Sequence, residues 1–185
     1  LTSSPGYDAE ATYSFDGKKI IYTSLISGDL DLWYMNPDGS GKQQLTNRLG
    51  YDGGAFYSYD AKKIVWRAYY PETEEEIINY KSLLKENSIR PMALQIWTMN
   101  ANGTNKKQIT DNNSANFGPI YFPKADKIIF SSNLNLVDGG ITLISLKKVS
   151  SSNIKPREQN EAIASRSKLL LVSISQSIIS FLFLL

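Results

Sequence analysis

The chain has no cysteine and no histidine. Without cysteine there is no disulfide framework and no thiol chemistry. Lacking both residues, it holds no Ser-His-Asp triad, no Cys-His pair and no histidine-ligated zinc. An excess of one charge is missing as well: 20 Lys and Arg face 18 Asp and Glu, a formal +2 over 185 residues. That near balance leaves no electrostatic footprint for nucleic acid. No phosphate-cradling glycine loop, paired-carboxylate site or metal-ligand cluster stands out, so no cofactor is expected. Long apolar runs are absent until the last 17 residues, Leu169 to Leu185.

What is present is repetition. Gly6-Tyr-Asp-Ala-Glu-Ala-Thr-Tyr-Ser-Phe-Asp-Gly-Lys-Lys-Ile-Ile-Tyr22 returns as Gly50-Tyr-Asp-Gly-Gly-Ala-Phe-Tyr-Ser-Tyr-Asp-Ala-Lys-Lys-Ile-Val-Trp66, with ten of 17 positions identical. Asp31-Leu-Trp-Tyr-Met-Asn-Pro-Asp-Gly-Ser-Gly-Lys-Gln-Gln-Leu-Thr-Asn47 returns as Gln95-Ile-Trp-Thr-Met-Asn-Ala-Asn-Gly-Thr-Asn-Lys-Lys-Gln-Ile-Thr-Asp111, with seven of 17 identical. A third copy opens at Asn116-Phe-Gly-Pro-Ile-Tyr-Phe-Pro-Lys-Ala-Asp-Lys-Ile-Ile-Phe130, aligning Tyr13, Tyr57 and Tyr121. Short apolar runs between turn residues, at a period near 44 residues, are the pattern of propeller blades.

Turn chemistry parses the first repeat. Ala11–Phe15 alternates small or polar residues with aromatics and reads as a strand. Asp16-Gly17 is a hairpin turn, because glycine enters positive φ without a steric penalty. Lys18–Ser24, Leu30–Asn36 and Lys42–Thr46 supply three more strands, with Pro37-Asp38-Gly39-Ser40 turning between the last two. The second repeat follows this plan with strands at Lys62–Ala68 and Leu94–Asn100, but about 20 extra residues, Tyr69 to Ala93, interrupt it. There the periodicity changes. Ile77, Tyr80, Leu83 and Leu84 share one face, Glu74–Glu76 fill the first turn, and Thr73 with Glu76 has capping-box spacing. An inserted helix is expected within 72–90. The fold class is therefore all-β: an incomplete β-propeller with two full four-stranded blades (about 6–47 and 50–111), part of a third (about 114–146), and a helix inserted in blade two.

The run Tyr-Ser-x-Asp-Gly-Lys-Lys-Ile, followed by Asp-Leu-Trp-x-Met-Asn-x-Asp-Gly-Ser and Gln-Leu-Thr-Asn, resembles the WD40-like (PD40) repeats of TolB-type β-propellers over about residues 6–133. That family's first turn is usually Ser-Pro-Asp-Gly. Here it stands as Ser14-Phe-Asp-Gly17, Ser58-Tyr-Asp-Ala61 and Phe122-Pro-Lys-Ala125. The resemblance implies an extracytoplasmic, non-catalytic scaffold that binds a protein or peptide through its channel face. In TolB that partner is a periplasmic lipoprotein of the Tol-Pal system. Similar repeats also form substrate-gating propellers beside the hydrolase domain of prolyl-oligopeptidase-like and tricorn-like serine peptidases, and that is the alternative.

By analogy with other propellers, the loop entering each innermost strand lies beside a central channel. This places Asp8, Asp52 and Asn116 around one opening, with Tyr7, Tyr51 and Phe117 next to them. Repeated carboxylates and aromatics at a rim can hold a peptide or a basic protein surface. The same Gly-x-Asp pattern also serves as a plain turn, since Asp bonds its own backbone amides. Trp33 and Trp97 hold equivalent third-strand places, which indicates packing between blades. Glu72–Glu76 reads as a solvated helix start, and Asn102-Gly-Thr and Asn112-Asn-Ser are glycosylation triplets of a kind common by chance.

Past Asn133 the repeat pattern weakens, although Asp138–Leu146 offers one more strand. Residues 149–185 form a tail outside it, and the apolar end from 169 is sequence foreign to the fold, a membrane anchor or a buried segment. The opening Leu1 and the count of repeats read as a fragment of a longer ring. Blades bury their faces against neighbours on both sides, so the ends of an open array expose apolar surface. The isolated chain should therefore self-associate or melt at low temperature; a monodisperse monomer with a cooperative, high melting transition in sedimentation and calorimetry would contradict this.

Overall fold

In the computed structural model the described residues are 1–90 and 93–134, together with the backbone of Thr142–Lys147. The first sheet contains β1 (Asp8–Tyr13), β2 (Ile20–Ser24), β3 (Asp31–Met35) and β4 (Gln43–Gln44), paired in that order. The second contains β5 (Tyr51–Tyr57), β6 (Lys63–Tyr69), β7 (Gln95–Asn100) and β8 (Lys107–Gln108), again in chain order. Helix α1 (Glu74–Lys85) lies between β6 and β7. In the third, β10 (Lys127–Ser132) pairs with both β9 (Asn116–Tyr121) and β11 (Thr142–Lys147). All pairings within the sheets are antiparallel. The apolar tail from 169 lies outside the described residues, as does the Asp138 end of the strand expected at Asp138–Leu146.

The second sheet is buried on both faces, and its sequence shows why. Along β6, Ile64, Trp66 and Ala68 point into a core shared with Ile21, Leu32 and Leu45 of the first repeat. Val65 points the other way, packing with Ile96 against Tyr121, Ile128 and Phe130 of the third. Successive strand residues face opposite sides, so the apolar run Ile64-Val65-Trp66 needs cover on both. Tyr57 and Tyr121, each 4% exposed, belong to these two cores. Tyr13, at the matching place in the first repeat, is 60% exposed. No preceding sheet covers it among the described residues.

The strand ends repeat in hydrogen bonds as they do in letters. Leu32 N donates to Thr46 Oγ1 and Ile96 N to Thr110 Oγ1, both at 2.8 Å. The hydroxyls of Ser14 and Ser58 donate to Asp16 and Asp60, both at 2.7 Å. These serines close the first hairpins, Ser14 N reaching Lys19 O at 2.8 Å and Ser58 N reaching Lys63 O at 2.9 Å. The first strand therefore starts at Asp8 and ends at Tyr13, earlier than the Ala11–Phe15 expected from alternation. Ser14 and Phe15 belong to the turn, and the Phe15 ring stacks on Tyr59 of the next repeat at 4.1 Å and 14°.

Helix α1 carries the expected capping box: Thr73 Oγ1 accepts from Glu76 N, and the Glu76 carboxylate accepts from Thr73 N. Of the apolar face read from the sequence, only Tyr80 is fully buried. Its hydroxyl donates to Asp29 Oδ1 at 2.5 Å, and Asp29 Oδ2 accepts from Gly50 N at 2.9 Å. One carboxylate thus fastens the helix and the entry of the second repeat to the first.

The turn position held by Gly17 (φ 69°) is held by Ala61 (φ 55°) and Ala125 (φ 52°) in the later repeats. A side chain in the left-handed region costs about 1–2 kcal/mol, partly offset by the smaller freedom of alanine in the unfolded chain. Ala61→Gly should therefore stabilise the protein by about 0.5–1 kcal/mol, read as a higher urea midpoint at unchanged m-value.

Candidate functional site

Each first strand carries a bulge two residues past Asp8, Asp52 or Asn116, where Glu10, Gly54 and Gly118 have φ of 55°, 59° and 56°. Glycine adopts this conformation freely; glutamate does so at a cost of about 1–3 kcal/mol. Glu10 is held there by four donors. Its Oε2 accepts from Tyr51 OH at 2.8 Å, Gly54 N at 2.9 Å and Thr23 Oγ1 at 3.4 Å, and its Oε1 accepts from Arg67 Nη2. Arg67 Nη2 also donates to Tyr51 OH at 2.8 Å. The pair is largely withdrawn from water, its side chains 14% (Arg67) and 24% (Glu10) exposed. Burial opposes the Arg67 charge, but Tyr51 and Glu10 outweigh it and raise the guanidinium pKa.

Around this pair stand the three aromatics singled out in the sequence. Tyr7 and Phe117 are half-buried and pack with fully buried Tyr51 in one cluster. The Arg67 guanidinium lies 5.6 Å from the ring centres of both Tyr51 and Phe117. Burial raises the Tyr7 hydroxyl pKa, Glu10 adding to the effect and Arg67 opposing it. Burial likewise drives the Tyr51 hydroxyl far up. Three repeats therefore meet here: Tyr7 and Glu10 come from the first, Tyr51 and Arg67 from the second, Phe117 from the third.

The polar members of the expected rim separate from this cluster. Asp8 is half-buried beside the N-terminal segment and accepts from Ser4 Oγ at 2.7 Å. Burial works against its charge, yet hydrogen bonds from Ser24, Ser4 and Thr2 and the charge of Lys42 hold its pKa below the ordinary value. Asp52 and Asn116 have no exposed surface at all. Their placement around an opening is corrected by that burial: each carboxyl or amide turns into the protein and bonds there. Asp52 Oδ1 accepts from Trp66 Nε1 and Tyr70 OH, both at 2.6 Å. Asn116 Nδ2 donates to Leu94 O at 2.6 Å and to Asn112 Oδ1 at 3.1 Å. The reason is geometric. Asp52 lies near the start of β5, which the first and third sheets flank, and Asn116 begins β9, which packs against the second sheet.

Glu10 and Arg67 were not picked out from the sequence. The signal was a difference between repeats. Glu10 stands where the others have Gly54 and Gly118, and Arg67 where they have Thr23 and Ser131. The local backbone is shaped for the pair. A Cβ on Gly53 would run into the Glu10 carboxylate and the Tyr51 hydroxyl, and one on Gly54 into the Arg67 guanidinium. Among the described residues no group of three carboxylate, histidine or cysteine side chains could hold a metal ion. The chemistry on offer is contact: aromatic faces around a buried, charge-paired guanidinium.

Neither a protein-family model nor a curated protein sequence matches the chain. Solved structures do. TolB from Acinetobacter baumannii aligns with a TM-score of 0.60 and 18% identity over 82% of this chain and 32% of its own. A structure designated TolB from Agrobacterium tumefaciens aligns at 0.53 and 20% identity over 80% of this chain and 52% of its own. The fold is that of a TolB-type propeller segment. The tricorn protease shares it at a TM-score of 0.50 and 12% identity over 71% of this chain and 11% of its own. The chain thus spans about half or less of each TolB structure's length, and at these identities the likeness is one of fold. In this TolB-type frame the first strands β1, β5 and β9 lie side by side, which brings Tyr7, Tyr51 and Phe117 together.

Removing one member of a buried ion pair leaves the other charge uncompensated, at a cost of about 3–5 kcal/mol. Arg67→Ala should lower stability by about that amount, measured by urea unfolding. Gly53→Ala should also destabilise by breaking into the Glu10–Tyr51 contact. A smaller loss for Gly53→Ala in an Arg67→Ala background would show that the two act on one network.

Proposed function

We propose that the chain is part of a PD40-repeat β-propeller of TolB type that works as a non-catalytic scaffold, binding a protein or peptide through the face where its first strands begin. The two four-stranded sheets are complete blades, the third is a partial one, and α1 is an insertion in the second. The carrying observation is the gathering of Tyr7, Tyr51 and Phe117 from three successive repeats around Arg67 and Glu10. Aromatic and arginine side chains are the residue types that anchor protein interfaces, because they add large contact area at modest entropic cost. Half-buried Tyr7 and Phe117 supply the contact, while the ion pair and buried Tyr51 hold them in place. Asp8 adds a negative rim that favours a basic partner segment. The sequence, without histidine or cysteine, supports a role by contact rather than by catalysis. By its likeness to TolB the protein is assigned an extracytoplasmic location. No helix among the described residues is long and apolar enough to cross a membrane.

A second reading follows from the likeness to the tricorn protease: a propeller that gates substrate entry to an attached serine peptidase. A Gly-x-Ser-x-Gly elbow with downstream Asp and His encoded in the same gene would decide for it.

A random peptide library displayed on phage and selected on the full chain should yield binders whose affinity falls about tenfold or more on Phe117→Ala or Asp8→Lys, with circular dichroism unchanged. Binders indifferent to both substitutions, in folded variants, would overturn the assignment of this face.

A further inference from the structure

Asp52 is the one carboxylate of the expected rim that the fold encloses completely, and no ion pair among the described residues compensates its charge. Trp66 Nε1 and Tyr70 OH both donate to Oδ1, and the Thr46 hydroxyl also acts on the carboxyl in favour of its charged form. Oδ2 has no hydrogen-bond partner. None of the ion pairs among the described residues includes Asp52. The charges around it are unfavourable or remote. Asp31 of β3, itself 2% exposed, adds a like charge. Asp29 lies behind Tyr80 of α1, whose hydroxyl it accepts from. The cation on this side, Arg48, rests on the Tyr70 ring at 4.3 Å from its centre and pairs with Glu72 at 3.5 Å.

The repeat shows what the site is built to hold. In the third repeat the same place is taken by Asn116, a neutral residue with a donor. Its Nδ2 donates to Leu94 O, and its backbone N–H donates to the same carbonyl at 3.2 Å. The matching carbonyl in the second repeat is Leu30 O, which accepts Asp52 N at 2.8 Å. Only the acid form of Asp52 matches Asn116 in charge. The position is also a junction. Asp52 O accepts from Thr23 Oγ1 of the first sheet at 3.1 Å, and Tyr70 begins the segment leading into α1.

We propose that Asp52 is folded as its neutral acid and serves as a proton-operated latch joining the first sheet, β5 and the lead into α1, which ionisation loosens. The inference is independent of the binding role proposed for the neighbouring face. Burial pushes the Asp52 carboxyl up to about 7, well above the ordinary carboxylate range, with hydrogen bonds from Tyr70, Trp66 and Thr46 opposing the rise and Asp31 adding to it. The sign follows from linkage. A folded-state value above the unfolded one means that the stabilisation is complete below about 4 and is lost as pH rises through about 7.

The test is an NMR titration of the full chain with carbon-labelled aspartate carboxyls, run beside amide hydrogen exchange. One carboxyl, missing from the spectrum of Asp52→Asn, should titrate near pH 7, and the Trp66 indole N–H should shift with the same midpoint. Protection of the Asp52 amide should fall about tenfold beyond the intrinsic pH effect across that midpoint, and Asp52→Asn should abolish the fall. Asp31→Asn should leave the Trp66 transition in place, moved to lower pH. If Asp52→Asn does not fold, the Trp66 shift in the unsubstituted chain reports the same event. A carboxyl already ionised at about pH 5, a flat Trp66 shift, or unchanged protection across neutral pH would overturn the proposal.

Discussion

The interaction on which this structure depends is the packing of one sheet between two others. Strand β6 buries side chains on both faces, Ile64, Trp66 and Ala68 on one and Val65 with the paired Arg67 on the other, so the sheet that contains it cannot end at water on either side. Trp66 fixes one junction by filling the first core, and Val65 with Ile96 fixes the other. Burial of large side chains dominates the favourable terms in folding. The order of the sheets is thus set by which residues alternate along a single strand. The exposed Tyr13, whose equivalents are buried in the later repeats, shows how much that arrangement owes to the sheet that comes before.

Packing of this kind forces polar groups at the strand ends into the interior, where each needs a partner. Most are met by bonds that recur in register from repeat to repeat, such as those of Thr46 and Thr110 to the third strands. Where the repeats diverge, the solutions become individual. Glu10 takes a backbone conformation suited to glycine and is held by Arg67, Tyr51 and Gly54. Asp52 is enclosed where another repeat keeps an asparagine. Both departures lie where the repeats join, and there a change in one residue is felt by two sheets.

Much of this was legible in the sequence. Identical Ser-x-Asp turns, the Trp-x-Met-Asn strands and the Leu-Thr or Ile-Thr endings place the strands, because turn chemistry and alternation are local properties. The helix in the second repeat, with its Thr73 cap, was legible for the same reason. Strand edges were less so: Phe15 looks like the last residue of an alternating strand, yet Ser14 turns the chain before it. The aromatic members of the site could be named from their repeated position. Glu10 and Arg67 could not, since they lie 57 residues apart and meet only because β5 pairs with β6 and packs beside β1 of the neighbouring sheet.

The sequence alone determined the repeat, its strand content, its turns and the exclusion of triad and histidine-metal chemistry, all of which follow from residue type and short-range spacing. Only the tertiary structure decided which of the repeated polar residues face water. Asp8, Asp52 and Asn116 hold one place in three copies of a pattern, but the first lies half-buried beside the N-terminal segment, while Asp52 is enclosed between sheets and Asn116 between the second sheet and its own entry loop. Exposure is a property of what packs alongside a strand, and no residue's own spacing encodes it.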